Sequence, residues 1–123
     1  MEEKRLKILI VQDKEISRNL YKLSLKNYSL SFCNSEKTIY TKLSMNNFQL
    51  IIIDIRRPGS KDSLSLIKEL RANKDFLKIP IICITSFDSN DQKANVLNAG
   101  ADIYLLKPVS RNILIGIIAK FQF

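Results

Sequence analysis

The run Leu50-Ile51-Ile52-Ile53-Asp54 restricts the fold of this chain more than any other stretch. Four apolar residues without alternation need cover on both sides, which marks a strand buried in a parallel sheet. Asp54 is then expected where the strand leaves the core and meets solvent. Pro58 and Gly59, neither suited to continue a strand, close the segment behind it. An acid at the mouth of a buried strand is a placed group, and it is the first candidate for chemistry.

Four more strands follow from similar runs: Lys7 to Val11, ending in Gln12-Asp13; Leu30 to Cys33; Pro80 to Thr85; and Ile103 to Leu106, before Lys107-Pro108. Helical spacing fills the intervals. The first helix runs from about Glu15 to Asn27 with Ile16, Leu20 and Leu23 as its inward stripe. Ser35 caps a second that turns Ile39 and Leu43 inward, and a third from about Ser63 to Asn73 uses Leu66, Ile67 and Leu70. Asp88 or Ser89 caps the fourth, which Gly100 ends. Ser110 caps the last, with Ile113, Leu114, Ile117, Ile118 and Phe121 inward. Ile115, at ~200° from Ile113, is expected outside. Five strands alternating with five helices predict an α/β layer fold on a parallel sheet. With no linker or repeat in 123 residues, one domain over 1–123 is expected.

Composition narrows the chemistry. The chain has no histidine, which removes His-dependent triads and the commonest general base. Cys33 and Cys83 fall among apolar strand residues and read as buried thiols, too few for a metal site. No apolar run reaches the roughly 18 residues of a membrane span, and no secretory signal precedes the first strand, so a cytoplasmic protein is expected. No P-loop is present, since none of Gly59, Gly100 and Gly116 is followed by Lys. The net charge of +8 suits an acidic partner or a polyanion. Lys14, Arg18, Lys22 and Lys26 recur every fourth position on the first helix, either a solvated face or a docking strip. Without interleaved stacking aromatics, direct nucleic-acid binding is not favoured.

In an open parallel sheet, ligands bind at the C-terminal strand ends. Here those ends bring Gln12-Asp13, Asp54, Thr85 and Lys107. Each alone has a plain structural reading: a helix start, a loop cap, a strand-forming residue, a surface charge. Together they form a coherent set, with two carboxylates for a hard cation such as magnesium, one of them a nucleophile toward phosphorus, and a hydroxyl and an ammonium to stabilise transferring oxygens. The motifs Ile8-Leu9-Ile10-Val11-Gln12-Asp13, Leu50 to Asp54 with Pro58-Gly59, Pro80 to Ser86, and Ala99-Gly100-Ala101-Asp102-Ile103-Tyr104-Leu105-Leu106-Lys107-Pro108 resemble a response-regulator receiver domain of two-component signalling, over Ile8 to Phe121.

The resemblance implies a flavodoxin-like doubly wound sheet of order 2-1-3-4-5 with helices on both faces, an order the family is known for. That order separates Cys33 from Cys83 by three strand spacings, about 14 Å, too far for a disulfide. It implies Asp54 as phosphoacceptor for a histidine kinase or phosphotransfer partner. Magnesium would be held by Asp13, Asp54, Gln12 through water and the Arg56 backbone carbonyl. Thr85 and Lys107 would contact the phosphoryl group, and Thr85 with Tyr104 would form the switch. The kinase would dock near the start of the first helix, and the last helix would carry output to an effector or a second copy. Such a protein is not an enzyme beyond its own phosphorylation and dephosphorylation.

The sequence departs from the family pattern in places. Gln12 replaces a usual acid, which weakens the cation site by ~1 to 2 kcal/mol when the loss is water-mediated. Arg57 replaces an apolar residue before Pro58, and Lys61 reads as an insertion. Lys14, Arg56 and Arg57 add positive charge that could assist a phosphoryl group or pair with Asp54. The second case gives the alternative: a receiver-like interaction module that takes no phosphate. A phosphatase-type enzyme on the same nucleophile is a third reading, against which stands the lack of a cap domain.

Overall fold

The computed structural model describes residues 5–34, 38–55 and 61–121, with the side chains at 61 and 62 excepted. The strands are β1 (Lys7–Val11), β2 (Ser29–Cys33), β3 (Leu50–Ile55), β4 (Ile81–Thr85) and β5 (Ile103–Leu106). Between them run α1 (Glu15–Ser24), α2 (Ile39–Met45), α3 (Lys61–Ala72) and α4 (Asn90–Ala99), and α5 (Arg111–Lys120) follows β5. All strand pairs are parallel and the order is β2-β1-β3-β4-β5. This is the flavodoxin-like order that the sequence resemblance implies.

Strand alternation divides the interior into two cores. One face packs Leu9, Val11, Ile51, Ile53, Ile81 and Cys83 against apolar residues of α2, α3 and α4. The other packs Ile8, Ile10, Leu50, Ile52, Ile82 and Ile84 against Tyr21 and Leu25 at α1 and Leu114 and Ile118 of α5. Every residue of β3 and β4 is buried, as continuous apolar runs require.

The caps follow their chemistry. Ser89 Oγ accepts from the Gln92 amide and Ser110 Oγ from the Ile113 amide. Gly100, at φ 127°, ends α4. A Cβ there would run into Arg71 Cγ, so both backbone and space demand glycine. Arg71 lies close because it is a hub: it donates to the carbonyls of Gly100, Phe76, Leu77 and Ile79 and pairs with Asp102 at 2.8 Å. Asp102 Oδ2 also accepts from the Ile81 amide at the entry to β4.

Three expectations fail in the helices. The inward stripe of α1 is not Ile16, Leu20 and Leu23, which are 79%, 60% and 71% exposed; Tyr21 and Leu25 are buried instead. Arg18 ties the start of the helix to Gln12, and Tyr21 is anchored inward by a polar bond, so the helix takes the other of two competing phases. The helix also ends at Ser24, not near Asn27. In α5, Ile113 is exposed while Ile115 packs at the margin of the core, because Leu114 and Ile118 define the inward line. Cys33 and Cys83 are buried thiols, as expected. The Ser35 cap, Arg56, Arg57, Pro58, Gly59 and Phe123 lie outside the described residues.

Candidate functional site

Alternation also decides which polar groups meet. Asp54 shares its side of β3 with Leu50 and Ile52, and Lys107 shares the side of Ile103 and Leu105, so both face α1 and α5. The strand β3 continues to Ile55. Asp54 therefore lies inside the ladder, paired in register with Ile84, and not at the solvent mouth the sequence suggested. Its side chain is 1% exposed.

A carboxylate this deep needs donors. Lys107 Nζ lies 3.0 Å from Asp54 Oδ1 and 2.9 Å from Oδ2, straddling the group. The Tyr21 hydroxyl donates to Oδ2 at 2.7 Å. Burial first, then the charge and hydrogen bond of Asp54, hold the Tyr21 phenol well above its ordinary range, so it stays a donor. Beside Tyr21 and Lys107, between α1 and α5, opens a groove of about 460 Å³ whose walls include Ser17, Ser24 and Leu114.

The other strand-end groups form a second cluster. Thr85 is fully buried, and its Oγ accepts from the Phe87 amide at 3.2 Å and from Gln92 Nε2 at 3.5 Å. Gln92 Nε2 also donates to the Tyr104 hydroxyl at 2.8 Å, which donates to the Phe87 carbonyl at 3.2 Å. The Thr85 carbonyl accepts from the Lys107 amide at 2.7 Å. One backbone bond thus separates the Thr85–Tyr104 cluster from the Asp54–Lys107 pair.

At the end of β1, Asp13 is exposed and Gln12 is buried. Gln12 Oε1 accepts from the Lys14 amide at 3.0 Å, shaping the turn into α1. The basic residues of α1 do not form one free line. Arg18 donates to the Gln12 carbonyl and to Asn34 Oδ1, and its guanidinium lies 5.4 Å from the Phe32 ring centroid. Lys22 also leans over Phe32, at 5.8 Å, while Lys14 and Lys26 are exposed.

Sequence reasoning missed Tyr21 and Gln92. For Tyr21 a signal existed: Ser17, Tyr21 and Ser24 stand at helical spacing on one side, two small residues making room for a large one. Gln92 gave none, since a glutamine two residues into a helix is ordinarily a solvated residue.

A family model described as the response regulator receiver domain matches residues 8–119. This chain belongs to that family. Among curated relatives, the receiver is 33% identical over 106 residues to a gliding motility regulatory protein of Myxococcus xanthus, covering 85% of this chain and 14% of that protein. It is 29% identical over 110 residues to the chemotaxis protein CheY-3 of Vibrio cholerae, covering 85% and 82%. Against VanRB of Enterococcus faecalis, at 30% identity, it covers 89% of this chain and 49% of the relative. The receiver thus spans a small part or about half of some relatives and most of another.

Solved structures agree. The signal receiver domain of a signal transduction histidine kinase from Syntrophus aciditrophicus has a TM-score of 0.81 at 26% identity, covering 93% of this chain and 87% of that one. The receiver domain of a sensor histidine kinase from Pseudomonas aeruginosa, with a magnesium ion coordinated in its active site cleft, has 0.82 at 25%, covering 95% and 97%. Receivers of this family serve two-component systems, and phosphorylation and magnesium are standard among them.

The donor chemistry here suits a hard divalent ion. Magnesium needs only one or two carboxylates and keeps its waters, and Asp13 and Asp54 stand at the C-terminal edge of neighbouring strands. No group of three acidic, histidine or cysteine residues adds to them among the described residues. No buried side-chain oxygen there lacks a partner, so an ion must share Asp54 with the donors already on it. Among the described residues no helix is long and apolar enough to cross a membrane.

Proposed function

We propose that residues 1–123 form one receiver domain that accepts a phosphoryl group on Asp54 from a histidine kinase or phosphotransfer protein in the cytoplasm. The carrying observation is the buried Asp54 carboxylate with Lys107 Nζ across both of its oxygens. A carboxylate oxygen attacks phosphorus and forms the acyl phosphate. The bond from phosphorus to the donor breaks, and its electron pair leaves with the donor. Lys107, already in contact with both oxygens, balances the added charge. Bound magnesium, held by Asp13, Asp54 and the Arg56 carbonyl with Gln12 at its margin, would neutralise charge on the phosphoryl oxygens.

Thr85 would turn toward the phosphoryl group and release its contact with Gln92, freeing Tyr104 to reorient. The change would reach α4, β5 and α5, where an effector or second copy would bind. Lys14 and Lys26 remain available for kinase docking at α1, and Arg18 and Lys22 would contribute from beside Phe32. The domain acts on no separate substrate.

The test is mass spectrometry after incubation with a small phosphodonor and magnesium. A phosphoryl increment that disappears in Asp54→Ala is expected. Its absence from the wild-type protein at saturating magnesium would overturn the proposal and leave an interaction module on the receiver fold.

A further inference from the structure

The Tyr21 hydroxyl lies on one of the two oxygens of the carboxylate that is proposed to react. It is a neutral donor, 2.7 Å from Asp54 Oδ2, on a residue only 9% exposed. A hydrogen bond to a charged, buried acceptor is among the stronger ones a side chain makes. It stabilises the free carboxylate and weakens as that oxygen's charge is drawn into a bond to phosphorus or shared with a cation. An interaction stronger in the ground state than in the transition state slows the reaction. Lys107 differs, because an ammonium can keep its contact as charge moves onto the phosphoryl oxygens.

From this geometry we infer that Tyr21 is a positioning residue that restrains Asp54, with its hydroxyl competing with both the cation and the incoming phosphorus for Oδ2. The inference rests on Asp54 being the phosphoacceptor. The groove beside the ring gives the phenol somewhere to go. At about 460 Å³ it is several times a ~150 Å³ cavity that holds benzene. Ser17 and Ser24 are small side chains on the wall, so release of Asp54 requires the ring to rotate out of its place in the α1/α5 core toward the groove. Acceptance of phosphate then depends on how often the ring is out.

The experiment compares the full chain with Tyr21→Phe, which keeps the ring and removes the donor. Two quantities are read: the rate of phosphoryl mass gain from a small phosphodonor, and magnesium affinity by titration of the Asp54 and Tyr21 amide resonances without phosphodonor. The variant is expected to gain phosphate about tenfold faster and to half-saturate at about tenfold lower magnesium. A purely packing role would leave both unchanged.

Equal rates and equal affinities overturn the role of Tyr21 while leaving Asp54 as phosphoacceptor. Tighter magnesium in the variant, with no phosphoryl gain in either protein, overturns the phosphoacceptor reading and supports the competition at Oδ2. Should Tyr21→Phe not fold, Tyr21→Leu repeats both readings with an apolar side chain in the same place.

Discussion

Burying Asp54 to 1% exposure would cost several kcal/mol without compensation, and Lys107 is the cation that offsets it. Removing one partner of such a pair leaves the other charge unmatched. Lys107 is itself 33% exposed, so solvent screens part of the loss. Lys107→Met is expected to lower stability by about 1 to 3 kcal/mol in urea unfolding. Adding Asp54→Asn should recover much of that, because the unmatched charge is gone; a double variant no more stable than Lys107→Met would refute the pairing. Cys83 gives a second reading at this scale. Burial, assisted by the charge of Asp102, pushes its thiol up to about 12. At pH 8 only about one molecule in ten thousand then carries the thiolate, and the reactive fraction rises with pH. Disulfide reagents should label Cys33 and Cys83 slowly in the native protein and promptly in denaturant.

At the scale of elements, what was legible depended on whether a pattern had competitors. β1, β3 and β4 could be read directly because strands buried on both faces leave continuous apolar runs, and Ser89, Ser110 and Gly100 mark helix ends by local chemistry. The phase of α1 was not legible, since Ile16-Leu20-Leu23 is the more hydrophobic of two stripes at helical spacing. The structure buries Tyr21 and Leu25 because a tertiary bond to Asp54 outweighs the difference, and local hydrophobicity contains no record of that bond. For the same reason the strand-end residues of the site could be found, while Tyr21 left only its helical spacing with Ser17 and Ser24, and Gln92 left no signal. Ile16→Ser and Leu23→Ser are therefore expected to change stability by no more than about 0.5 kcal/mol each, against about 2 to 5 for Leu25→Ala. Large losses at the first two positions in urea titrations would restore the stripe that the sequence suggested.

The whole molecule is one sheet with a core on each face, and the two cores share every central strand. Leu9 and Ile10, or Ile51 and Ile52, are neighbours in one strand yet serve opposite cores. Opening the α1/α5 face would expose Ile8, Ile10, Leu50 and Ile52 on strands whose other side stays packed. The ladders joining β1, β3 and β4 would then have one face in water, a costly state for a sheet that is apolar on both sides. The two faces should therefore unfold together, as a single cooperative domain does. Thiol labelling of Cys33 and Cys83 reports the α2/α3/α4 face, and amide exchange at Leu25 and Ile118 reports the other. Across a urea series both probes should give one free energy, agreeing within about 0.5 kcal/mol. If the Leu25 and Ile118 amides exchange through an opening well below that of the thiols, α1 and α5 form a separately unfolding layer. Residues 1–123 would then not unfold as one cooperative unit, and the groove beside Tyr21 would open with that layer.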